Sequence, residues 1–282
     1  MNDGEDILVK KADGTEEAYD ENKLIASLRR SGASKEMSEE VAGHIGKELV
    51  NGITTNDIYR HAFLVLKNIR RPVAASYSLK RALAELGPSG YPFETFLAEL
   101  FKSMGYSAVP RQTLNGNCVE HEVDVVAWKD DELVMVEAKF HNNHQLKTDL
   151  KVALYVKARF DDVKTELFSY GKREHFDKGF LITNTKFTSS AIKYAKCVGL
   201  ELIGWNYPRK TGNLQDLIEK VGLHPITALS NFSEREKRVL LNRGDVLCKS
   251  ISDNPDKLQD LNIEPKRKEE LLKDIDELCG ER

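Results

Sequence analysis

The sequence predicts an α/β protein in which a central mixed sheet is preceded by a hairpin with helices and followed by a helical segment. Residues 91–207 carry the order α, β, β, α, β, α, β, which is typical of such a sheet. Residues 1–87 begin with two short strand patterns around Asp13-Gly14, a hairpin-turn signal, and continue with about four helical patterns. Residues 213–282 are rich in Leu, Lys and Glu and show almost no strand pattern. We therefore predict three domains over these ranges, with "GPSGY" at 87–91 as a linker or turn.

Size and composition are those of a soluble globular protein. The chain has 282 residues, of which 40% are hydrophobic and 31% charged. No apolar run approaches the ~18 residues of a membrane span, and the first residues lack an apolar signal-peptide core. We therefore expect a cytoplasmic protein without a membrane partner. The four cysteines form no CxxC pair, which argues against a structural zinc site, and a net charge of −3 neither indicates nor excludes nucleic-acid binding.

Four segments of the first 87 residues have helical patterns with recognisable ends. "ENKLIASLRRSG" ends near Gly32, and "SEEVAGHIGKELVNG" is predicted to begin at Ser38. "TTNDIYRHAFLVLKNI" begins at a threonine or at Asn56, and "PVAASYSLKRALAELG" runs from Pro72 to Gly87. A hairpin followed by these helices makes a small compact domain.

The central segment opens with "PFETFLAELFKSMGY", whose apolar residues form one stripe of a helix. Strands are predicted at 121–128 and 133–140, joined by the polar turn "KDDE". A long helix over "QLKTDLKVALYVKARF" follows, then the strand "GFLITN", the helix "SSAIKYAKCVGL" and the strand "ELIGWN". Lys147 and Lys151 share a face of the long helix, where a DNA-backbone contact and an ordinary solvated face both stay open.

The C-terminal segment is predicted to form several short helices. "SEREKRVLLNRG" and "KRKEELLKDIDELC" are the clearest, and Asn254-Pro255 and Glu264-Pro265 interrupt the pattern. The segment faintly resembles helix-hairpin-helix modules, in which a tight turn offers backbone N–H groups to a phosphate. A helical cap or a dimerisation element fits the sequence equally well.

Charged residues within two apolar strands mark a candidate site. Side chains two apart on a strand point the same way, so Glu137 and Lys139 share a face, with buried valines on the other. Asp124 on the preceding strand reaches Glu137 if the register places them side by side. Two carboxylates at a strand edge suit Mg²⁺, and a nearby lysine can orient a metal-bound water and offset phosphate charge. Glu94, near the start of the first central helix, is a fourth candidate.

A Glu-x-Lys pair is also common on solvated strands, and spacing alone leaves both interpretations open. Residues 91–207, however, resemble the PD-(D/E)xK nuclease superfamily, in its Mrr-type restriction endonuclease branch. The family's motifs stand here in order as "FETFLAELFKSMGY", "HEVDVVAW", "VMVEAKF" and "GFLITNTKFTSSAIKYAKCVGLELIGWN". The resemblance implies a restriction-endonuclease-like fold that cleaves DNA, with Asp124 and Glu137 as metal ligands, Lys139 as the catalytic lysine and Glu94 as an accessory acid.

Two departures from the family pattern bear on the substrate. Glu122-Val123-Asp124 stands where many Mrr-type members have Gly-x-Asp. Glu137 stands where many have Gln, and in this it resembles archaeal Holliday-junction resolvases. Neither departure removes a ligand, but together they leave the type of DNA substrate open.

Lysines around the N-terminal hairpin suggest a second site, although no Gly-rich phosphate loop is present and bare composition favours a solvated hairpin. Residues 5–87 resemble the ATP-cone, the regulatory nucleotide-binding domain of ribonucleotide reductases and NrdR repressors, through "VKKADGTEEAYDENKL", "ITTNDIYRHAF" and "SYSLKRA". Ala12 stands where the family usually has its second basic residue. The resemblance implies a pocket for ATP or dATP, lined by Val9, Lys10, Lys11, Glu17, Lys23 and Thr55.

Together these observations predict a DNA endonuclease that depends on Mg²⁺ or Mn²⁺ and is controlled by ATP or dATP as an effector. The expected partners are DNA, an adenine nucleotide and further copies of the chain, because ATP-cones often act through association. The alternative is a nucleotide-responsive DNA-binding regulator whose nuclease fold is weakly active or inactive. Repressors of the NrdR type carry a zinc ribbon with paired cysteines, which this sequence lacks.

Overall fold

A computed structural model describes residues 7–11, 14–143 and 145–279. Among these, the N-terminal part holds an antiparallel hairpin followed by helices: β1 (Leu8–Lys10), β2 (Glu16–Ala18), α1 (Glu21–Arg30), α2 (Lys35–Glu48), α3 (Thr55–Ile69), α4 (Arg71–Tyr77) and α5 (Leu79–Ala84). The predicted hairpin is confirmed. Asp13, half of its turn signal, lies outside the described residues.

The second N-terminal helix begins earlier than its sequence pattern indicated. Helix α2 starts at Lys35, because the Ser34 hydroxyl accepts a hydrogen bond from the Met37 N–H at 3.1 Å. The predicted start at Ser38 was wrong. Ser38 is buried inside the helix, and its hydroxyl donates to the Ser34 carbonyl at 2.7 Å.

The predicted start of the third helix agrees with the structure, whereas the predicted extent of the fourth does not. Thr54 caps α3 by accepting from the Asp57 N–H at 3.1 Å, which confirms the threonine alternative. The helix predicted from Pro72 to Gly87 is in fact two helices, α4 and α5, which meet at Ser78. The Ser78 hydroxyl bonds to its own preceding turn, a local competitor of the helical pattern.

The central part is a five-stranded mixed sheet with helices on both faces. Its elements in chain order are α6 (Tyr91–Ser103), β3 (Ser107–Asn115), β4 (Glu120–Lys129), β5 (Glu132–Lys139), β6 (Lys147–Thr148), α7 (Leu150–Val163), β7 (Lys178–Thr183), β8 (Lys186–Phe187), α8 (Ser189–Val198) and β9 (Glu201–Ile203). The strand order is β3-β4-β5-β7-β9, antiparallel from β3 to β5 and parallel from β5 to β9. The predicted mixed sheet is confirmed.

Strand β3 was not predicted from the sequence. It contains Pro110, which has no N–H to donate to a ladder and argues against a central strand. The strand lies at the edge of the sheet, where proline is tolerated, and it pairs with β4 from Ser107–Trp128 to Asn115–Glu120.

The long helix predicted over "QLKTDLKVALYVKARF" begins only at Leu150. The Asp149 carboxylate caps α7 by accepting from the Val152 N–H at 3.2 Å. The residues before it form β6, which pairs in parallel with β8. Lys147 therefore lies on a strand and shares no helical face with Lys151, and that prediction was wrong.

The elements of the C-terminal part are all helices in the described residues. They are α9 (Leu214–Val221), α10 (Glu234–Asn242), α11 (Cys248–Asp253) and α12 (Pro265–Cys279), with 3₁₀ helices at Ile226–Ala228 and Pro255–Leu261. The interruptions predicted at Pro255 and Pro265 are confirmed, since both prolines start a new element. In the described ranges, no helix is long and apolar enough to cross a membrane.

The hydrophobic cores cross the predicted domain borders. Leu83 of α5 and Ile218 of α9 are fully buried in the same core as Phe96 of α6. On the other side, Ala82 packs among the C-terminal helices, and the buried Thr227 hydroxyl donates to its carbonyl at 2.6 Å. The C-terminal helices are thus anchored both on the N-terminal helices and on the central sheet.

Candidate active site

The two predicted metal-binding carboxylates face each other across β4 and β5. Val125 and Val136 are the last pair of the antiparallel ladder at this end, and Asp124 and Glu137 are the next residues on the two strands. Asp124 Oδ2 accepts a hydrogen bond from the Ala138 N–H at 2.7 Å. This hydrogen bond fixes the Asp124 carboxylate against the neighbouring strand, and Asp124 and Glu137 line the same cavity.

The sheet is distorted at Asp124. Val123 and Val126 both lie in the core beneath α7, whereas Val125 lies in the core beneath α6, so the alternation of faces is interrupted. Across the ladder, Arg111 has a φ of 53°, and the β3–β4 pairing skips this level. The distortion leaves the Asp124 side chain beside β5, and such irregular strands are frequent next to active sites.

Glu137 is held by an arginine that was not predicted from the sequence. Glu137 is 6% exposed, and both of its carboxylate oxygens accept from Arg159 Nη1, at 2.7 and 2.8 Å. Arg159 lies on α7 and donates also to the Glu122 carbonyl at 2.6 Å and to the Tyr155 hydroxyl. Lys151, Tyr155 and Arg159 recur every four residues along α7, and this polar stripe is the signal that could have revealed it.

Lys139 follows Glu137 on the same side of β5, at the end of the strand. The chain just beyond it is clamped by Asn184, whose side-chain oxygen accepts from the His141 N–H at 2.9 Å and whose amide donates to the His141 carbonyl at 2.8 Å. Asn184 is 1% exposed and is the last residue of the "ITN" motif, directly after β7. The motif thus fixes the strand end that bears Lys139.

A cavity of about 400 Å³ opens between β5 and α7 in front of these groups. The charged and hydroxyl side chains that line it come from β4, β5 and α7 and are Asp124, Glu137, Lys139, Lys151, Tyr155 and Arg159. Three cations beside two carboxylates suit a substrate that carries phosphate together with a bound cation.

Glu94, the fourth predicted residue, lies in the first turn of α6 and is 8% exposed. Its Oε2 is buried and, among the described residues, has no hydrogen-bond partner. Arg111 Nη1 lies 3.8 Å from that oxygen. Burial, and next the charge of Asp124, raise the pKa of Glu94 to about 7.

Burial also raises the pKa of the two facing carboxyls. For Glu137 burial acts first and the charge of Asp124 second, and the pKa rises to about 8 against the opposing effect of Arg159. For Asp124 burial likewise raises the pKa, against the hydrogen bond from Ala138 and the charge of Arg159. Poorly hydrated carboxylates that repel one another mark a place where added positive charge is favourable.

The residues present fit Mg²⁺ or Mn²⁺ in the chemistry of their donors, since carboxylate oxygens are hard ligands. The buried Oε2 of Glu94, which has no hydrogen-bond partner among the described residues, is a further oxygen atom that suits a cation. Over the described ranges, however, no three His, Cys, Asp or Glu side chains are gathered closely enough to hold a metal ion. Asp124 and Glu137 are the residues that would hold it, once Glu137 exchanges its contacts to Arg159.

Comparisons with known proteins identify the family. Residues 87–206 match the family model "Restriction endonuclease", and residues 224–279 match "AF1548-like, C-terminal". An uncharacterized protein of Archaeoglobus fulgidus is 37% identical over 185 residues, which are 65% of this chain and 100% of that protein. The chain belongs to the AF1548-like family.

A solved structure agrees with this assignment. The crystal structure of the protein of unknown function AF1548 is 36% identical and superimposes with a TM-score of 0.55, covering 68% of this chain and 99% of that one. In the present AF1548-like protein, residues 87–206 form a restriction-endonuclease-like domain, which indicates a nuclease. The AF1548-like C-terminal domain follows it.

The second candidate site of this AF1548-like protein surrounds the hairpin. Glu17 pairs with Lys11 at 2.5 Å and with Lys23 at 3.4 Å, and the hydrogen bond from Lys11 lowers the pKa of Glu17 most. Lys10 has an exposed side chain, and its N–H donates to the Ile53 carbonyl at 2.9 Å. The structure therefore brings the predicted lysines together at the hairpin and ties them to the chain that enters α3.

Two other predicted residues lie differently. Thr55 is exposed in the first turn of α3, next to the capping Thr54. Val9 is 4% exposed and packs in the core of the N-terminal helices, so its side chain does not face an open pocket. Ala12 lies outside the described residues.

An aromatic cluster adjoins the same helix start. The Arg81 guanidinium lies 3.7 Å from the ring centroid of Tyr59, and Tyr59 stacks on Tyr77 at 5.0 Å between centroids. Arg81 also donates to the side chain of Asn56 in the first turn of α3. None of these four residues was predicted as a site residue, although Tyr77 and Arg81 belong to the "SYSLKRA" motif.

Proposed function

We propose that this AF1548-like protein is a DNA endonuclease that depends on Mg²⁺ or Mn²⁺. The observation that carries the proposal is that Asp124, Glu137 and Lys139 line one cavity, where Asp124 and Glu137 directly follow the last pair of the β4–β5 ladder. The restriction-endonuclease-like match supports DNA as the substrate. Residues 91–207 are the nuclease domain in this proposal, between a nucleotide-binding domain at 1–87 and a helical domain at 213–282.

When bound, a divalent cation supplies a polarised water and stabilises negative charge on a phosphodiester. Asp124 and Glu137 would hold that cation, with Glu94 as an accessory acid. Lys139 neutralises the scissile phosphate and orients the attacking water. Lys151, at the mouth of the same cavity, contacts a neighbouring phosphate of the DNA backbone.

Supercoiled plasmid incubated with MgCl₂ or MnCl₂ tests the proposal by the appearance of nicked and linear DNA. Asp124→Asn and Lys139→Ala are expected to lower the cleavage rate by at least about a hundredfold. Asp131→Asn, in the exposed β4–β5 turn, and Lys196→Ala, exposed on α8, are matched controls that leave the rate unchanged. Equal nicking by the wild type, the two site variants and the two controls would show that the activity does not come from Asp124 and Lys139.

One observation favours the alternative function, a DNA-binding regulator with a weakly active nuclease fold. Arg159 engages both oxygens of Glu137, and a metal ion competes with it for the same carboxylate. The plasmid experiment separates the two functions when it is joined to a gel-shift measurement. DNA binding without cleavage in either metal supports the regulator and contradicts the nuclease.

We propose further that residues 1–87 are an ATP-cone that binds ATP or dATP as an effector. Lys10, Lys11, Lys23 and the first turn of the 15-residue helix α3, with Thr55, supply positive charge and N–H groups for a triphosphate. Without nucleotide, Glu17 holds Lys11 and Lys23 in place by its two ion pairs, and phosphate replaces Glu17 when nucleotide binds. The stacked rings of Tyr59 and Tyr77 offer an aromatic surface beside the same turn for an adenine base.

Calorimetric titration with ATP, dATP and GTP tests the nucleotide proposal. Lys11→Ala and Lys23→Ala are expected to weaken ATP binding by about tenfold each, because each removes a charge-assisted contact. Lys35→Ala, an exposed lysine on α2, is the control. Sedimentation with and without ATP measures whether the protein is a homo-oligomer, and an absence of heat with all three nucleotides contradicts the ATP-cone.

A further inference from the structure

A groove of about 400 Å³ runs between the restriction-endonuclease-like domain and the AF1548-like C-terminal domain. One wall is the start of α6 with Arg111 of β3, and the other is the turn that follows α10. Its polar and aromatic lining consists of Tyr91, Thr95, Arg111, Asn242 and Arg243. Neither domain forms the groove alone.

The groove is basic. Two arginines line it, and no carboxylate does among the described residues. Arg111 is held in place on one wall, because its Nη1 donates to the Thr95 hydroxyl at 3.0 Å and to the Tyr91 carbonyl at 3.4 Å. Its side chain is 45% exposed, so the guanidinium still faces solvent.

Arg243 lies on the other wall, in the turn after α10. Its one ion pair within the described residues joins its Nη2 to Asp260 at 3.2 Å, and the two side chains are 39% and 77% exposed. Ion pairs so exposed contribute little, because water and salt screen them. The Arg243 guanidinium can therefore turn toward an anion without an appreciable loss.

The aromatic member of the groove is Tyr91. It is 63% exposed in the first turn of α6, and the Arg111 guanidinium lies 5.9 Å from its ring centroid. An exposed ring beside a guanidinium group is an arrangement that proteins use to hold a nucleic-acid strand, with a base or sugar on the ring and a phosphate on the cation.

One contact links the groove to the candidate active site. Arg111 of the groove lies 3.8 Å from the carboxylate of Glu94, the fourth predicted residue of that site. The two walls of the groove are fixed relative to one another, because Val246 of the turn and Phe93 of α6 share one core. Arg111 of the nuclease-like domain and Arg243 of the C-terminal domain therefore stand on walls that are held together before any ligand binds.

We propose that this groove binds the DNA strand that flanks the cleaved phosphate, with phosphates on Arg111 and Arg243 and a nucleotide against Tyr91. The inference rests on the proposed nuclease function of the adjoining site, and it assigns to the AF1548-like C-terminal domain a part in DNA binding. Arg243 is the residue that carries this assignment, because it lies outside the nuclease domain.

Fluorescence anisotropy with a labelled DNA duplex, in EDTA so that no cleavage occurs, tests the inference. Arg243→Gln is expected to weaken binding by about tenfold. It should also reduce the slope of log affinity against log salt by about 0.9, the loss of one phosphate contact. Tyr91→Phe should bind as the wild type does, and Tyr91→Ala should bind more weakly at unchanged salt slope.

Two controls separate DNA contact from structural damage. Asp260→Asn breaks the same ion pair but keeps the cation, and it is expected to retain or improve DNA affinity. Arg235→Gln removes an exposed arginine of α10 that does not line the groove, and affinity and slope should stay unchanged. If Arg243→Gln matches either control, the groove is not a DNA site, whatever the plasmid assay gives. A different outcome is that Arg243→Gln loses DNA affinity as expected while the wild type never cleaves plasmid. That result would overturn the nuclease proposal and support the groove as a DNA-binding site.

Discussion

Arg159 on α7 donates to both carboxylate oxygens of Glu137 on β5, at 2.7 and 2.8 Å. The two side chains are only 13% and 8% exposed, so the pair is nearly withdrawn from water. It sits where the proposed cation has to bind. Arg159 and the proposed cation therefore compete for the Glu137 carboxylate, and the strength of the Arg159–Glu137 pair sets how tightly the cation binds.

Arg159→Met tests this competition. Without metal, the buried Glu137 is left unpaired, and the free energy of unfolding is expected to fall by about 3 kcal/mol. With MgCl₂ the rise in Tm should be larger than in the wild type, because nothing else occupies the carboxylate. Thermal unfolding with and without metal measures both effects, with the exposed Arg235→Met as control. An equal metal-induced rise in the three proteins would contradict the competition.

The pH dependence of cleavage should report Glu94. Burial and Asp124 raise its pKa to about 7, so below that pH the carboxyl is protonated and cannot assist a cation. We expect the rate to fall as pH drops from 8 to 6, by about tenfold per pH unit for each carboxyl that must lose its proton. Glu94→Gln should make this acid limb shallower, whereas Glu99→Gln on the same helix should keep it. A limb of unchanged steepness in Glu94→Gln would exclude Glu94.

Acid stability should depend on Glu236 of α10. Its two oxygens accept from Arg267 at 2.8 and 2.6 Å, and chiefly these contacts lower its pKa from 4.5 to about 2. A lowered carboxyl pKa stabilises the fold above the unfolded value, and the contribution is lost as pH falls from about 4.5 toward about 2. Glu236→Gln should cost about 2 kcal/mol at pH 7 and lose less stability than the wild type between pH 5 and 3. Urea unfolding measures both, and Glu234→Gln, 81% exposed, is the control.

Ile218 of α9 tests the core that the C-terminal helices share with the central sheet. It is fully buried in the same core as Phe96 and Val136. Ile218→Ala is expected to lower the free energy of unfolding by about 2–5 kcal/mol and to weaken hydrogen-exchange protection in β5 as well as in α9. The exposed Lys220→Ala should do neither. Loss of protection confined to α9 would mean that the C-terminal helices unfold separately.

Much of the central domain could be predicted from sequence because its signals are local. The Phe and Leu stripe of α6 and the short apolar runs of β5 and β7 are such signals. The edge strand β3 escaped notice because its Pro110 is acceptable only at an edge, and edge position is a tertiary property. Local competition by the Asp149 cap likewise shortened α7.

The candidate site could be predicted only in part for a similar reason. Asp124, Glu137 and Lys139 stand within two neighbouring strands, so period and turn length nearly bring them together. Arg159 arrives from another element, 22 residues away in sequence from Glu137. Arg243 of the groove comes from a domain whose contact with α6 no periodicity reveals.

The hydrogen bond from Thr227 to the Ala82 carbonyl bears on how the proposed binding of ATP near the hairpin would alter the proposed cleavage of DNA. Along the chain, the hairpin and Lys139 are joined through the "GPSGY" segment, and lengthening that segment ought to separate them. In space, however, the C-terminal helices contact both the helices after the hairpin and the core under β5. We therefore expect side-chain packing around residue 227 to transmit a displacement at α4 and α5, and extra residues inserted after Gly87 to leave that transmission intact.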